Sequence, residues 1–333
     1  MSIQSGETAM RAAGQLTGNS HADRVQSAIR DSGAARSAVV ASWQRSVRLH
    51  GLKPQTAGKP LTVTAQELRQ VQEHVEPLTH LAQPVLDRLF LSVGGIGCCV
   101  LLADSNGVPV ERRGAAADNK IFHEWGLWTG TVWSEASEGT NGIGTSIVEQ
   151  RPVTIHRDQH FHARNAGLSC SVAPIHDHQG RLVAVLDVSS CRSDLTEAYA
   201  ALIFAAVNDA ARKIEADYFR YHYQNARIVL APVSEYLPGA LLAIDRDDMV
   251  IGASRNARAA LGLGEDGLKD PIPAADLFGT LCGRDTDMAE AERGVIIRAL
   301  ARADGKISQA AERLGMSRAT LHRKLNRLQI RRS

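Results

Sequence analysis

Aromatic side chains are scarce: six Phe, five Tyr and four Trp make up 5% of the 333 residues. Any core must therefore rest on aliphatic packing. No apolar run approaches the roughly eighteen residues that a membrane-spanning helix needs, which excludes such a helix. Cysteine is also sparse. Cys98, Cys99, Cys170, Cys191 and Cys282 are odd in number and follow no framework spacing, which excludes a disulfide scaffold. Met1 to Gly33 is small and polar and lacks the apolar stretch of an export signal, so reduced thiols and a cytoplasmic location are expected. No Gly-x-x-x-x-Gly-Lys-Ser/Thr sequence occurs anywhere. Without that phosphate cradle and its lysine, ATP hydrolysis of the P-loop kind is excluded. Finally, Ser317 to Ser333 contains no acidic residue.

What is present fits a globular protein of two or three domains, with 44% hydrophobic and 22% charged residues. The net charge of +2 hides an asymmetry. From Met288 onward eleven basic residues face four acidic ones, a balance of +7, which leaves −5 for residues 1–287. A basic module on an acidic body predicts a nucleic-acid binder with a separate regulatory part. Met288 to Ala303 reads as a supporting helix and Ser308 to Leu314 as the first helix of a helix-turn-helix. Ser317 then caps a recognition helix, Arg318 to Leu328. Leu321, Leu325 and Leu328 fall on one face, and Ala310 and Ala311 are small enough to pack beneath it. Arg318, Thr320, His322, Arg323, Lys324 and Arg327 are left for duplex DNA. The competing reading is a plain basic amphipathic helix.

Upstream, residues 1–35 read as a flexible leader and 36–64 as an N-terminal helical segment centred on Ala38 to His50. Thr64-Ala65-Gln66-Glu67 is a capping-box pattern that opens a helical stretch to Leu91. From Gly97 the texture changes to strands: Cys98 to Ala103, Val153 to Ile155, Ser169 to Ile175 and Leu182 to Val188. Asp177-His178-Gln179-Gly180 forms a hairpin turn between the last two. Helices mixed with hairpin-connected strands predict an antiparallel α+β domain. Leu195 to Ile228 reads as one long helix whose apolar stripe suits either the parent domain or a twin helix in a homodimer. Ala240 to Asp245 and Met249 to Gly252 read as a strand pair, Asn256 to Leu261 as a helix, and Asp270 to Pro273 as a linker.

His156, His160 and His162, with Cys170, His176 and His178 nearby, offer good ligands for zinc or iron, but in no established spacing. Hydrogen-bonded or solvated histidines are the simpler reading. Cys98 and Cys99 begin a strand and are expected to pack rather than to sense redox state. No residue is assigned to catalysis, a metal or a cofactor.

Two resemblances add to this. Ile307 to Leu325 is similar to the Fis-type helix-turn-helix of bacterial enhancer-binding proteins, over about the last forty-five residues (288–333). This implies a dimeric DNA reader in which Arg318, Thr320 and Arg323 face bases or adjacent backbone, while Ser308 sits at a phosphate. His322 departs from the pattern, standing where Fis has an arginine. Thr131-Val132-Trp133-Ser134-Glu135, Gly139-Thr140-Asn141-Gly142-Ile143-Gly144-Thr145, Arg151-Pro152-Val153, His160-Phe161 and Leu168 to Ile175 resemble the sensor region of the acetoin-catabolism regulator family. So do Gly180 to Ser189, and Ser42-Trp43-Gln44-Arg45-Ser46 with Gly51-Leu52. That resemblance implies a GAF domain over 65–228 with its long C-terminal helix, and a degenerate PAS-like segment over 237–282. It also implies a small-molecule effector, an alcohol, ketone or related metabolite, for which Trp133, Asn141 and Cys170 are the candidate ligand-binding residues. Gly139-x-x-Gly142-x-Gly144 lacks a Rossmann context and reads as tight turns around such a pocket.

Members of this family place an AAA+ ATPase between sensor and DNA reader, and here no loop for it is present. The expected function is a GAF sensor controlling a dimeric helix-turn-helix without ATPase-driven sigma-54 activation. Repression by occupancy and activation through contact with RNA polymerase both stay open. The alternative is a sensor acting mainly through protein partners, such as a full-length sigma-54 activator.

Overall fold

The structure is a computed structural model. It describes residues 20–30, 37–56, 58–231, 239–246, 248–263, 272–274, 277–278, 292–293, 295–296, 299–300, 303, 306–328 and 330. The chain divides into two compact units, residues 1–245 with 251–269, and residues 246–250 with 270–333.

The first unit is built on a five-stranded antiparallel sheet: β1 (Cys98–Asp104), β2 (Pro109–Arg113), β3 (Val153–His156), β4 (Ser169–His176) and β5 (Leu182–Ser190). Their order is β2-β1-β5-β4-β3. β1, β4 and β5 are buried along nearly their whole length, because both faces of the sheet are covered. Val100, Leu102, Ala173, Ile175, Leu186 and Val188 point to one face. There they meet Leu78, Ala82, Leu86 and Leu89 of α4 (Glu76–Val93) and Ile203, Val207 and Ile214 of α8 (Glu197–His222). Alternate residues Cys99, Leu101, Cys170, Val172 and Val185 point to the other face, toward Phe122, Leu127, Trp133 and Ile143. Burying these aliphatic chains stabilises the fold by about 1.5–3 kcal/mol per residue, so the scarcity of aromatics is no handicap.

Preceding these are α1 (20–30), α2 (Ala38–Arg48) and α3 (Ala65–His74). Thr64 and Glu67 form the capping box at the start of α3. The stretch expected to run unbroken to Leu91 is two helices, parted at Val75, because Pro77 stands in the first turn of α4 and cannot donate to a preceding turn. Three short helices complete the unit's first half: α5 (Asn119–Glu124), α6 (Glu135–Glu138) and α7 (Gly142–Glu149).

Two further readings need correction. Within the expected flexible leader, residues 20–30 are helical. Ala22 and Val25 are fully buried, and Val25 clusters with Trp43 and Phe161. The long helix expected to reach Ile228 ends at His222. Tyr223 to Asn225 turn, and Arg227–Leu230 becomes β6, paired antiparallel with β7 (Leu241–Ile244), so Ile228 opposes Ala243. After β8 (Met249–Ala253), α9 (Arg255–Leu261) follows, capped by Ser254. Most of the expected linker 270–273 lies outside the described residues or in the short strand β9 (Ile272–Pro273), which pairs with β8. Cys282 also lies outside them.

In the second unit, α10 (Ile307–Arg313) and α11 (Arg318–Arg327) close a small core. Leu321, Leu325 and Leu328 pack against Ala310, Ala311, Ile296, Ala299 and Ala303. Gly315 turns the chain at φ +61°, a value that favours glycine, and Ser317 accepts a hydrogen bond from the Thr320 amide as N-cap. Among the described residues no helix is long and apolar enough to cross a membrane.

Candidate nucleic-acid interface and sensor site

Helix α11 is apolar on its buried side and basic on the other. Ser308, Ser317, Arg318, Arg323 and Arg327 are exposed, and Thr320, His322 and Lys324 half-buried. Each of these eight residues is therefore at least partly accessible on the helix pair. Their electrostatic states differ. Arg318 and Arg323 carry no ion pair among the described residues, whereas Lys324 and Arg327 both contact the Glu292 carboxylate. The Lys324 hydrogen bond, followed by the Arg327 charge, holds Glu292 below its ordinary range. Arg293 donates to the Leu328 carbonyl at 2.6 Å and ties the supporting segment to the end of α11. Sequence reasoning missed Glu292, since a partner 32 residues away leaves no local signal.

Glu292 thus competes with phosphates for two cations. Glu292→Gln is expected to tighten binding to any duplex and to steepen the slope of log K against log salt by about one to two units, since each freed phosphate contact adds about 0.9. Fluorescence anisotropy across a salt series measures this, and an unchanged slope contradicts it.

In the sensor unit the two resemblance motifs meet. The Ser42 hydroxyl of α2 contacts Glu135 and lies 2.7 Å from Thr140 Oγ1. Arg45 donates from Nε to Glu135 at 3.1 Å and from Nη2 to Glu149 at 2.9 Å. Burial opposes the Arg45 charge, but the two carboxylates outweigh it and its pKa is raised. Trp43 donates to the Gln159 carbonyl at 2.9 Å. Ser42, Trp43, Arg45 and Glu135 are therefore a clip that binds α2 to the start of α6, to Thr140 in the loop entering α7 and to the turn after β3.

The glycines between are spacing devices. At Gly139, with φ +61°, a Cβ would lie 2.5 Å from the Phe161 ring; at Gly144 it would lie 2.7 Å from the Trp133 carbonyl oxygen. Asn141 is committed to the same turn: Oδ1 accepts from Gly144 N–H and Nδ2 donates to the Gly139 carbonyl, each at 2.8 Å. The Trp133 indole donates to the Gly126 carbonyl at 2.9 Å. Asn141 and Trp133, expected to hold a ligand, instead spend their polar atoms on the backbone. A cleft of about 540 Å³ is lined by Val39, Arg151, Thr154, His156, Glu197 and Phe204 rather than by Trp133, Asn141 or Cys170.

The histidines are dispersed among local partners. His156 Nδ1 lies 2.8 Å from Ser169 Oγ; His160 Nδ1 lies 2.8 Å from the Arg157 carbonyl, with Nε2 3.4 Å from Cys170 Sγ. Burial pushes His160 down to about 4 and raises Cys170 above the ordinary thiol range, so the pair is neutral. A neutral thiol donating to a neutral imidazole packs the core and is not an activated nucleophile. Among the described residues no group of three His, Cys, Asp or Glu is placed to hold a metal ion.

Asp187 on β5 is the unusual group. It is buried, accepts from Ser189 at 2.7 Å through Oδ2, and leaves Oδ1 without a partner among the described residues. Burial raises its pKa to about 7. Between about pH 4 and 7 the folded chain holds a proton there that the unfolded chain releases, so this group makes stability fall as pH rises through that window. Asp187→Asn is expected to flatten that slope in denaturation curves taken from pH 4 to 8; an unaltered slope refutes the assignment.

Comparison with known proteins places the two units. Residues 19–216, more than half the chain, match the family described as MimR, N-terminal domain. The chain belongs to that family. Residues 287–328 match the family described as bacterial regulatory protein, Fis family. The chain is 31% identical over 242 residues to the acetoin catabolism regulatory protein of Cupriavidus necator, covering 72% of this chain and 36% of that protein. It is 30% identical over 236 residues to MimR of Mycolicibacterium smegmatis, named as the activator of a propane 2-monooxygenase operon, covering 68% and 38%. Among solved structures, the Escherichia coli DhaR(N)–DhaL complex aligns with a TM-score of 0.49 at 17% identity, over 68% of this chain and 77% of that one. The chain spans little more than a third of the length of the two curated relatives.

Proposed function

We propose that this member of the family is a cytoplasmic transcription regulator in which a GAF-type sensor controls a dimeric Fis-type DNA reader. The observation that carries this reading is the exposed basic face of α11, where Arg318 and Arg323 have no ion pair among the described residues, above a buried Leu321/Leu325 seam. Cations not already neutralised within the protein are available to phosphates and base edges. A small-molecule effector binds the sensor unit and favours one arrangement of the paired readers. It does so only to the extent of its differential affinity for the two arrangements. The 26-residue helix α8 is the element we assign to pairing and transmission. Without a P-loop lysine the output is occupancy of DNA or contact with RNA polymerase, not ATP-driven remodelling. The relatives' names, an acetoin catabolism regulator and a propane 2-monooxygenase operon activator, support a small alcohol, ketone or related metabolite as the effector.

Footprinting of the full chain tests this. The expected result is protection of two inverted half-sites about one helical turn apart, lost when Ser317–Ser333 is removed. Protection without two-fold symmetry, or protection that survives the truncation, contradicts it.

A further inference from the structure

The inner face of the sheet holds two buried polar groups with unmet hydrogen bonds. Leu101 of β1 pairs with Arg112 of β2 on one side and Asp187 of β5 on the other, so all three stand in one row and point to one face. Arg112 is held firmly. Its Nη1 donates to Asn119 Oδ1 at 2.9 Å, and its guanidinium lies 4.2 Å from the Trp128 ring centroid and 5.4 Å from that of Phe122. The two remaining nitrogens, Nε and Nη2, are buried and have no partner among the described residues. These two nitrogens form one straight edge of the fork, spaced for the two oxygens of a carboxylate. Leaving such charged donors unmet is costly, and burial already lowers the Arg112 pKa. Gly114 lets the backbone pass close to the guanidinium, since a Cβ there would lie 2.3 Å from Nη2. Phe122 also lines a cleft of about 420 Å³ with Asp118, Ile121 and Cys191. On the far side of Leu101, Asp187 Oδ1 is unmet, and it is an acceptor once the carboxyl has lost its proton, above about pH 7.

Resting on the effector-sensor reading, we propose that the ligand is a small organic carboxylate that also bears a hydrogen-bond donor. Its carboxylate sits on the Nε/Nη2 edge of Arg112, and its hydroxyl or ammonium group reaches toward Asp187.

Calorimetry on the full chain tests this with sodium lactate, sodium 3-hydroxybutyrate, sodium propionate and neutral 1,2-propanediol at matched ionic strength. The expected order is hydroxy acids tightest, propionate weaker, diol weakest. Arg112→Lys keeps the charge but loses the fork, and is expected to raise the hydroxy-acid Kd by about 10- to 100-fold. Gly114→Ala puts a Cβ 2.3 Å from Nη2, so the guanidinium must shift, and the variant is expected to weaken the same acids. A diol that binds as tightly as the acids, acids that do not bind, or a Kd unchanged in both variants overturns the carboxylate assignment. If the diol alone binds and shifts operator affinity, the sensor reading survives that failure. If no probe alters operator affinity, the sensor reading falls with it.

Discussion

Arg45→Ala lowers the stability of the sensor unit by about 3–5 kcal/mol, the range for removing one partner of a buried ion pair. The Glu135 side chain is 1% exposed and Arg45 27%, so the carboxylate depends on the guanidinium rather than on bulk water for its charge partner. Glu135 would keep the Ser42 hydroxyl, but that neutral donor does not balance a buried charge. Glu149 is more accessible at 22% and loses less. Arg45→Lys keeps charge without the fork that spans Glu135 and Glu149, and should fall between wild type and Ala. All four tryptophans (Trp43, Trp125, Trp128 and Trp133) belong to the sensor unit, so intrinsic fluorescence in urea follows that unit selectively. A shift below 1 kcal/mol would show that the clip is peripheral to the fold.

Arg318→Ala has the second large effect, on binding rather than stability. Arg318 is the first residue of α11, exposed and without an ion pair among the described residues. Its loss should cost about 1–3 kcal/mol of operator affinity and relax base preference at one position in each half-site, if it reads a base edge. A phosphate contact would give a different signature, a uniform loss on specific and random DNA with the salt slope reduced by about one. Titrating operator and scrambled duplex side by side separates the two. Equal affinity of mutant and wild type for the operator would remove Arg318 from the interface. Because Arg318 is exposed at the start of α11, the melting temperature should move little.

How far these features could be read from the sequence depended on how local their cause is. The recognition helix was legible because Leu321, Leu325 and Leu328 recur at helical spacing and Ser317 caps its own third residue. The central strands were legible because both faces are buried and each reads as an apolar run. The end of α8 was not, since Ile228 continues the apolar stripe in sequence while its pairing with Ala243 is a tertiary choice. Helix α1 was hidden for a similar reason, because its burial depends on Trp43 and Phe161, far away in the chain. The sensor motifs were recognisable, but their roles were not. Asn141 looked like a ligand-binding residue and serves as a cap, while Glu135 and Arg45, 90 residues apart, reveal their bond only when folded. Arg112 and Asp187 gave no signal, for a sequence does not show which buried polar atoms lack a partner.

The central claim is that the sensor's output passes through the basic face of α11 to specific DNA. Mapping bound DNA across the genome, with the full chain and with Ser317–Ser333 removed, tests it most directly. The account predicts a limited set of sites sharing an inverted repeat, with occupancy abolished by the truncation. Broad, sequence-indifferent occupancy by the full chain, or site-specific occupancy retained by the truncated one, would contradict it.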